Sequence, residues 1–164
     1  MTYAPEAVFV ATPIGPVRIE SDGILLTAIR IEPPEAHLDS VSVERNASPV
    51  LRKAAEQLRA YFDGRLTRFD LPLKPSRTPR GADLRRAMEG VGFGQVATYG
   101  ALAEAIGSSA RAIGQACRTN AFPILVPCHR ILSAGQRLGF YSAGDGPGTK
   151  QRLLQHEGAT GWRA

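Results

Sequence analysis

Four consecutive residues, Pro127-Cys128-His129-Arg130, bring a thiol, an imidazole and a guanidinium together. They follow the apolar run Ile124-Leu125-Val126, which reads as a strand or extended segment that delivers them at its end. A free thiol of pKa ~8.5 is only a few per cent ionised at neutral pH, so a nucleophilic cysteine needs help. Arg130 and a chargeable His129 both favour the thiolate. A buried, inert structural cysteine is the other reading of the same residue. Neighbouring side chains on an extended chain point apart, so His129 must reach the sulfur through the curl of a loop or through a water. A third group must then orient the imidazole. Glu157 is the candidate, at the end of the helical stretch Lys150-Gln151-Arg152-Leu153-Leu154-Gln155-His156-Glu157, with Gly158 as its stop. A carboxylate is unfavourable at a helix C-terminus, which suggests that it is held there by a partner, and His129 is on offer.

The elements that would position these groups fall into two parts. Ala7–Ala11, Val17–Glu20 and Ile24–Ile31 read as strands of an antiparallel meander, separated by the turns Pro13-Ile14-Gly15-Pro16 and Ser21-Asp22-Gly23. Residues 35–47 are polar and read as loop. Ser48 is a candidate N-cap and Pro49 the first residue of a helix with the apolar stripe Val50, Ala54, Leu58 and Tyr61 or Phe62, ended by Gly64. Phe69–Leu73 reads as a returning strand. Lys74–Arg80, with Pro75 and Pro79, is the linker candidate. A helix follows over Ala82–Val91, with Leu84 and Met88 on one face. Thr98 can cap a helix over Tyr99–Ile106, and Ser108 or Ser109 one that runs to about Arg118. Two short helices around a glycine turn match a helix-turn-helix, as would any packed helix pair.

The chain has 164 residues, with 43% hydrophobic and 21% charged, as expected of a soluble globular protein of one domain or two small ones. No apolar run approaches the ~20 residues of a membrane span. The N-terminus does not read as a signal peptide. Two cysteines make no disulfide framework and point to the reducing cytoplasm. Residues 1–75 carry 9 Lys+Arg against 10 Asp+Glu, and residues 76–164 carry 11 against 5. The net charge of +5 thus sits wholly in the second part. Such a region is the footprint of a polyanion or simply a solvated basic face.

Ile124-Leu125-Val126-Pro127-Cys128-His129-Arg130 resembles the active-site signature of the O6-alkylguanine-DNA alkyltransferases, the methylated-DNA–protein-cysteine methyltransferases. Gly94-Gln95-Val96-Ala97-Thr98-Tyr99-Gly100 resembles that family's first DNA-site helix, and Ala110-Arg111-Ala112-Ile113-Gly114 its recognition helix. Asn120, Pro123, Tyr141-Ser142 and Leu153–Gly158 fall in family order. The resemblance extends to Thr12–Pro16 and Tyr61-Phe62-Asp63-Gly64, so it covers nearly the whole chain.

The resemblance implies an α+β protein. A small N-terminal α/β support domain with an antiparallel sheet would span residues 1–76. A mainly helical domain with a helix-turn-helix, holding the DNA site and the alkyl acceptor, would span 77–164. It implies direct repair by single-turnover transfer of an alkyl group from O6-alkylguanine in double-stranded DNA to Cys128, with the base flipped into a pocket. His129 would act through water as the base, Glu157 would orient it, and Asn120 would brace the turn. Tyr99 would donate to guanine N3. The carbonyls of Cys128 and Ile131 would accept from the exocyclic amine, and the Ser142 N–H would address O6. Tyr141 and Pro123 would wall the pocket, with Ala143 beside them. Arg111 would enter the base stack, with Thr98, Ala110, Gly114 and Arg118 also at the DNA. Binding would be through the minor groove with little sequence preference. No cofactor, no metal and no membrane partner are implied, and the protein would act as a monomer.

Some positions depart from the family pattern. Ala143-Gly144 stands where Gly-Gly is usual, and the added methyl is expected to narrow the pocket against bulky adducts. Phe140 stands where a small or polar residue is common, the loop Asp145–Gly148 is longer than usual, and Asn120-Ala121 replaces Asn-Pro. Cys117 reads as a core residue, while His37 and His156 read as surface. A lesion-recognition module without transfer and a thiol hydrolase built on Cys128, His129 and Glu157 are the alternative functions. Alkyltransferase-like proteins carry Trp at the acceptor position, so Cys128 argues against the first.

Overall fold

Val8, Val10, Val17, Ile19, Leu26, Ile29 and Ile31, all but one β-branched, are buried in a three-stranded sheet and are separated by less buried residues, as one core-facing side requires. The structure is a computed structural model and describes residues 5–33, 35 and 46–164. Strands β1 (Glu6–Val10), β2 (Val17–Ser21) and β3 (Leu26–Ile31) pair antiparallel in the order β1-β2-β3. Val10 lies opposite Val17, and Val17 opposite Ile31. The meander is therefore as expected. Most of the loop expected over 35–47, His37 included, lies outside the described residues.

Helix α1 (Pro49–Phe62) starts at Ser48 with Pro49 at its first position. Ser48 forms no side-chain cap; its backbone N–H donates to Glu6 Oε2 at 3.2 Å instead. The buried stripe is Leu51, Ala54, Ala55, Leu58 and Tyr61, so Leu51 replaces Val50 on the core face. Tyr61 packs edge-on to Phe62 at 4.9 Å and against Phe69 at 5.4 Å. The strand expected over Phe69–Leu73 does not form. A single bridge joins Leu73 to Leu26, with Leu26 N–H donating to Pro72 O. Pro72 has no N–H to extend the ladder.

Residues 1–74 and 75–164 form two compact units. In the second, helix α2 (Pro79–Glu89) begins earlier than expected. Thr78 Oγ1 accepts from Gly81 N, and Pro79 is the first helical residue rather than part of a linker. Leu84 and Met88 are its buried face. Strand β4 (Ala97–Thr98) runs directly into α3 (Tyr99–Ala105), and α4 (Ala110–Arg118) follows. Thr98 Oγ1 accepts from Ala101 N at 3.1 Å, and Ser109 Oγ from Ala112 N at 3.1 Å. Each cap is worth about 1 kcal/mol. The helix pair thus has the caps that the sequence implied.

Two connections hold the chemistry to this scaffold. Strand β5 (Ile131–Leu132) lies parallel to β4, with Ala97 opposite Ile131 and Thr98 opposite Leu132. The segment just after Cys128 is thereby fixed to the start of α3. Helix α5 (Pro147–His156) buries Leu153 and Leu154, and Leu154 packs with Leu132 and Leu138. It starts at Pro147, so Asp145–Gly148 is less of a loop than expected: Thr149 Oγ1 donates to Asp145 and accepts from its N–H, and Arg152 pairs with Asp145. No helix among the described residues is long and apolar enough to cross a membrane.

Candidate active site

Cys128 lies in a turn of 3-10 helix, Cys128–Arg130, and the extended segment expected before it is absent. Val126 N–H donates to Phe122 O at 2.8 Å. Cys128 N–H donates to Val126 O at 2.8 Å across Pro127, whose φ −83 and ψ 63 are those of an inverse γ-turn. Ile124 takes φ 78, a conformation that strains a β-branched residue. The run has the apolar composition of a strand, but the turn at Pro127 and the bonds from Asn120 curl it.

Asn120 holds the curl closed. Its Nδ2 donates to Val126 O at 2.8 Å and to Cys128 Sγ at 3.2 Å, while its Oδ1 accepts from Phe122 N at 3.0 Å. Asn120 therefore braces the turn and also touches the sulfur. Cys128 is 4% exposed. Burial pushes its thiol up, while the Asn120 hydrogen bond and the Lys150 charge pull the other way. The resting residue is a thiol with an anion-stabilising donor already in place.

His129 and Glu157 meet as the misplaced carboxylate suggested: His129 Nε2 lies 2.8 Å from Glu157 Oε1. Burial alone would raise the Glu157 carboxyl. Hydrogen bonds from His129 and Arg130 outweigh it and hold Glu157 well below the usual carboxylate range. An ionised carboxylate only accepts, so Nε2 carries the proton and Nδ1 carries the lone pair. Burial holds His129 below its ordinary value, which keeps the imidazole neutral. Nδ1 is buried and has no partner among the described residues. A buried base with a free lone pair can take a proton from the thiol through one bridging water.

Contrary to the expectation from sequence, Arg130 does not serve the sulfur. It donates to both Glu157 oxygens, from Nε at 2.9 Å and Nη2 at 2.8 Å, and to Val91 O from Nη1 at 2.7 Å. Gly94 N–H adds a bond to Glu157 Oε2 at 3.3 Å. The cation beside the cysteine is Lys150 instead, a residue that sequence reading missed. It is fully buried on α5, and its Nζ donates to Ile131 O at 2.5 Å and Phe140 O at 3.3 Å. Nothing in one dimension separates a buried lysine on a polar helix from a solvated one.

The expected pocket residues lie on the same unit. Tyr99 opens α3, half-buried, with the Lys150 ammonium 6.0 Å from its ring centroid. Burial pushes its phenol up to about 12, so it keeps its proton at neutral pH. Pro123, Ile131 and Tyr141 are buried, Ala143 is half-buried and Ser142 is exposed. The Cys128 carbonyl accepts from Ile131 N–H, and the Ile131 carbonyl from Lys150. Each keeps one lone pair for a further donor. Gly144 has φ +58, and a Cβ there would lie 2.4 Å from Thr149 Oγ1, so this position must be glycine while 143 need not be.

On α4, Ala110 and Arg111 are exposed, and a Cβ added at Gly114 would meet nothing within 4 Å. Thr98 spends its hydroxyl on the cap of α3. Arg118 stacks over the ring of Phe140 at 5.2 Å. Cys117 is buried, its Sγ 3.5 Å from Met88 Sδ, and burial pushes its thiol up to about 12, as suits a core residue. His156 is half-buried with its ring edge-on to Phe93 at 6.4 Å, not simply surface.

Comparison with known proteins gives this arrangement a family. Residues 7–75 match the ribonuclease-like domain of 6-O-methylguanine DNA methyltransferase, and residues 82–159 match its DNA binding domain. The methylated-DNA–protein-cysteine methyltransferase of Methanosarcina acetivorans is 32% identical over 157 residues, covering 90% of this chain and 95% of that protein. That of Mycobacterium tuberculosis is 34% identical over 154 residues, covering 89% and 88%. The crystal structure of Mycobacterium tuberculosis OGT in complex with DNA superposes with a TM-score of 0.76 at 33% identity, over 93% of this chain and 92% of that one. With both halves of the chain matched in order and full-length relatives above 30% identity, this protein belongs to the 6-O-methylguanine DNA methyltransferase family.

Proposed function

We propose that this protein reverses O6-alkylguanine in double-stranded DNA by moving the alkyl group irreversibly to Cys128. The observation that carries the reading is the buried relay Glu157–His129, which leaves Nδ1 unpartnered on the residue that follows a thiol held by Asn120. The thiol proton passes through a water to Nδ1. The sulfur attacks the alkyl carbon, the S–C bond forms, and the C–O6 bond breaks with its electron pair on the guanine. Tyr99, a protonated phenol, donates to N3 as charge builds on the ring, and the proton released by the thiol ends on the restored guanine. The remaining lone pairs of the Cys128 and Ile131 carbonyls accept from the exocyclic amine, and Ser142 N–H addresses O6. The thioether is not hydrolysed, so each molecule acts once.

In this reading residues 75–164 hold both the DNA site and the acceptor, and residues 1–74 support them. The basic second half binds the duplex backbone through the minor groove with α4. Arg111 fills the space of the flipped base, flanked by Thr98, Ala110, Gly114 and Arg118. The protein works as a monomer in the reducing cytoplasm, where Cys128 stays a free thiol.

Counting alkyl groups taken from excess labelled duplex tests this reading: one equivalent per protein is expected. None would leave lesion recognition alone, and many would point to a hydrolase. Arg111→Ala should slow repair in duplex much more than reaction with free O6-alkylguanine base, and equal losses would remove its flipping role. Ala143→Gly should speed reaction with O6-benzylguanine, because it deletes a methyl at the pocket. An unchanged rate would show that this methyl does not limit the substrate.

A further inference from the structure

The charges buried around Cys128 do not balance in its resting state. Glu157 contributes one negative charge, and Arg130 cancels it through two hydrogen bonds. His129, buried and below its ordinary value, contributes none. Tyr99 on α3 and Cys117 on α4 are both pushed up to about 12, so neither is an anion. That leaves the Lys150 ammonium. It is 0% exposed, it donates to the two carbonyls of Ile131 and Phe140, and no carboxylate pairs with it among the described residues. A buried cation without an anion is costly, and two neutral carbonyls offset only part of that cost. The cluster becomes neutral when one more negative charge appears within it. The acidic group available is the Cys128 thiol, three residues before the carbonyl that Lys150 grips.

We propose that Lys150 is the counter-ion of the Cys128 thiolate, a positioning residue that poises the acceptor for attack through its charge rather than by touching the substrate. This rests on the reading of Cys128 as the alkyl acceptor. His129 is the route by which the proton leaves, and Lys150 is what makes its leaving favourable. The ammonium sits on α5, tied to the first residue of β5 and to Phe140, so its charge is held in place by the scaffold. The structure is consistent with mutual influence: burial lowers Lys150 to about 8, with Cys128 acting to raise it, and Lys150 acts to lower Cys128.

Two substitutions separate charge from scaffolding. Lys150→Gln keeps a donor for the carbonyls of Ile131 and Phe140 without the charge, and Lys150→Met removes both. The readout is the pH profile of Cys128 alkylation by iodoacetamide, followed by peptide mass, beside methyl transfer from O6-methylguanine duplex. Both variants should move the alkylation inflection up by about one pH unit or more, and slow alkylation at pH 7 about tenfold or more. Duplex binding should be unchanged. A Lys150→Gln profile that coincides with the wild type would overturn the inference, even if transfer were intact. Failure of the wild type to accept a methyl group would instead sink the acceptor reading, and the iodoacetamide profile would still report the pair. If both variants fail to fold, the reciprocal effect decides: by NMR of 13C-labelled lysine, Lys150 should titrate lower in Cys128→Ser than in the wild type. An unchanged titration would contradict the pairing.

Discussion

Glu157→Gln should cost the folded protein about 3–5 kcal/mol, because it leaves the Arg130 guanidinium buried without its anion. Arg130 is 6% exposed, and both of its bonds to Glu157 are shorter than 3 Å. Urea unfolding at neutral pH reads the loss directly. Methyl transfer should fall by about two orders of magnitude or more, the scale of a lost general base. The amide can still accept a hydrogen bond from His129 but does not stabilise the imidazolium that forms when the thiol proton arrives. A variant as stable as the wild type would show that the Arg130–Glu157 pair contributes no net stability. The same pair sets an acid limit. Glu157 titrates near 4.3 when unfolded and well below that when folded, so its contribution is complete above the unfolded value. It is lost as pH falls toward the folded value. The wild type should therefore weaken steeply below about pH 4, and the Gln variant should lack that component.

Cys128→Ser should abolish transfer altogether while duplex binding stays intact. The hydroxyl is isosteric enough to keep the Asn120 contact, but it is a far weaker acid and a hard nucleophile at a carbon that wants a soft one. Gel shift with undamaged and O6-methylguanine duplexes checks binding, and labelled-methyl transfer checks chemistry. Residual transfer would mean that another group accepts the alkyl. Cys117 is placed against this, buried against Met88 with its thiol pushed up to about 12.

The parts of this protein that were legible in one dimension are those with a period or a cap. The alternation of β1 to β3, the α1 stripe from Ala54 onward (with Leu51 rather than Val50 before it), and the Thr98 and Ser109 caps each follow from a local rule, and the structure contains them. Glu157 was legible for a different reason: a carboxylate at a helix end breaks a local rule, and it has His129 and Arg130 as partners. What failed was non-local. The Ile124–Val126 run has strand composition, but an Asn120 side chain and the turn at Pro127 curl it. Pro79 looked like a linker residue because proline breaks helices in their interior and starts them at their first position. Lys150 and Arg130 were misjudged because sequence marks a charge but not its burial. A lysine on a polar helix gives no hint that its ammonium is sealed between two carbonyls.

The central claim is that one alkyl group ends on one sulfur. Intact-mass spectrometry after mixing the protein with a duplex carrying a single O6-methylguanine tests it most directly. The mass should rise by one methyl group, saturate at one equivalent, and map to the peptide that holds Cys128. An unchanged mass, with tighter binding to the damaged duplex than to the undamaged one, would contradict the account and leave a protein that recognises the lesion without removing it.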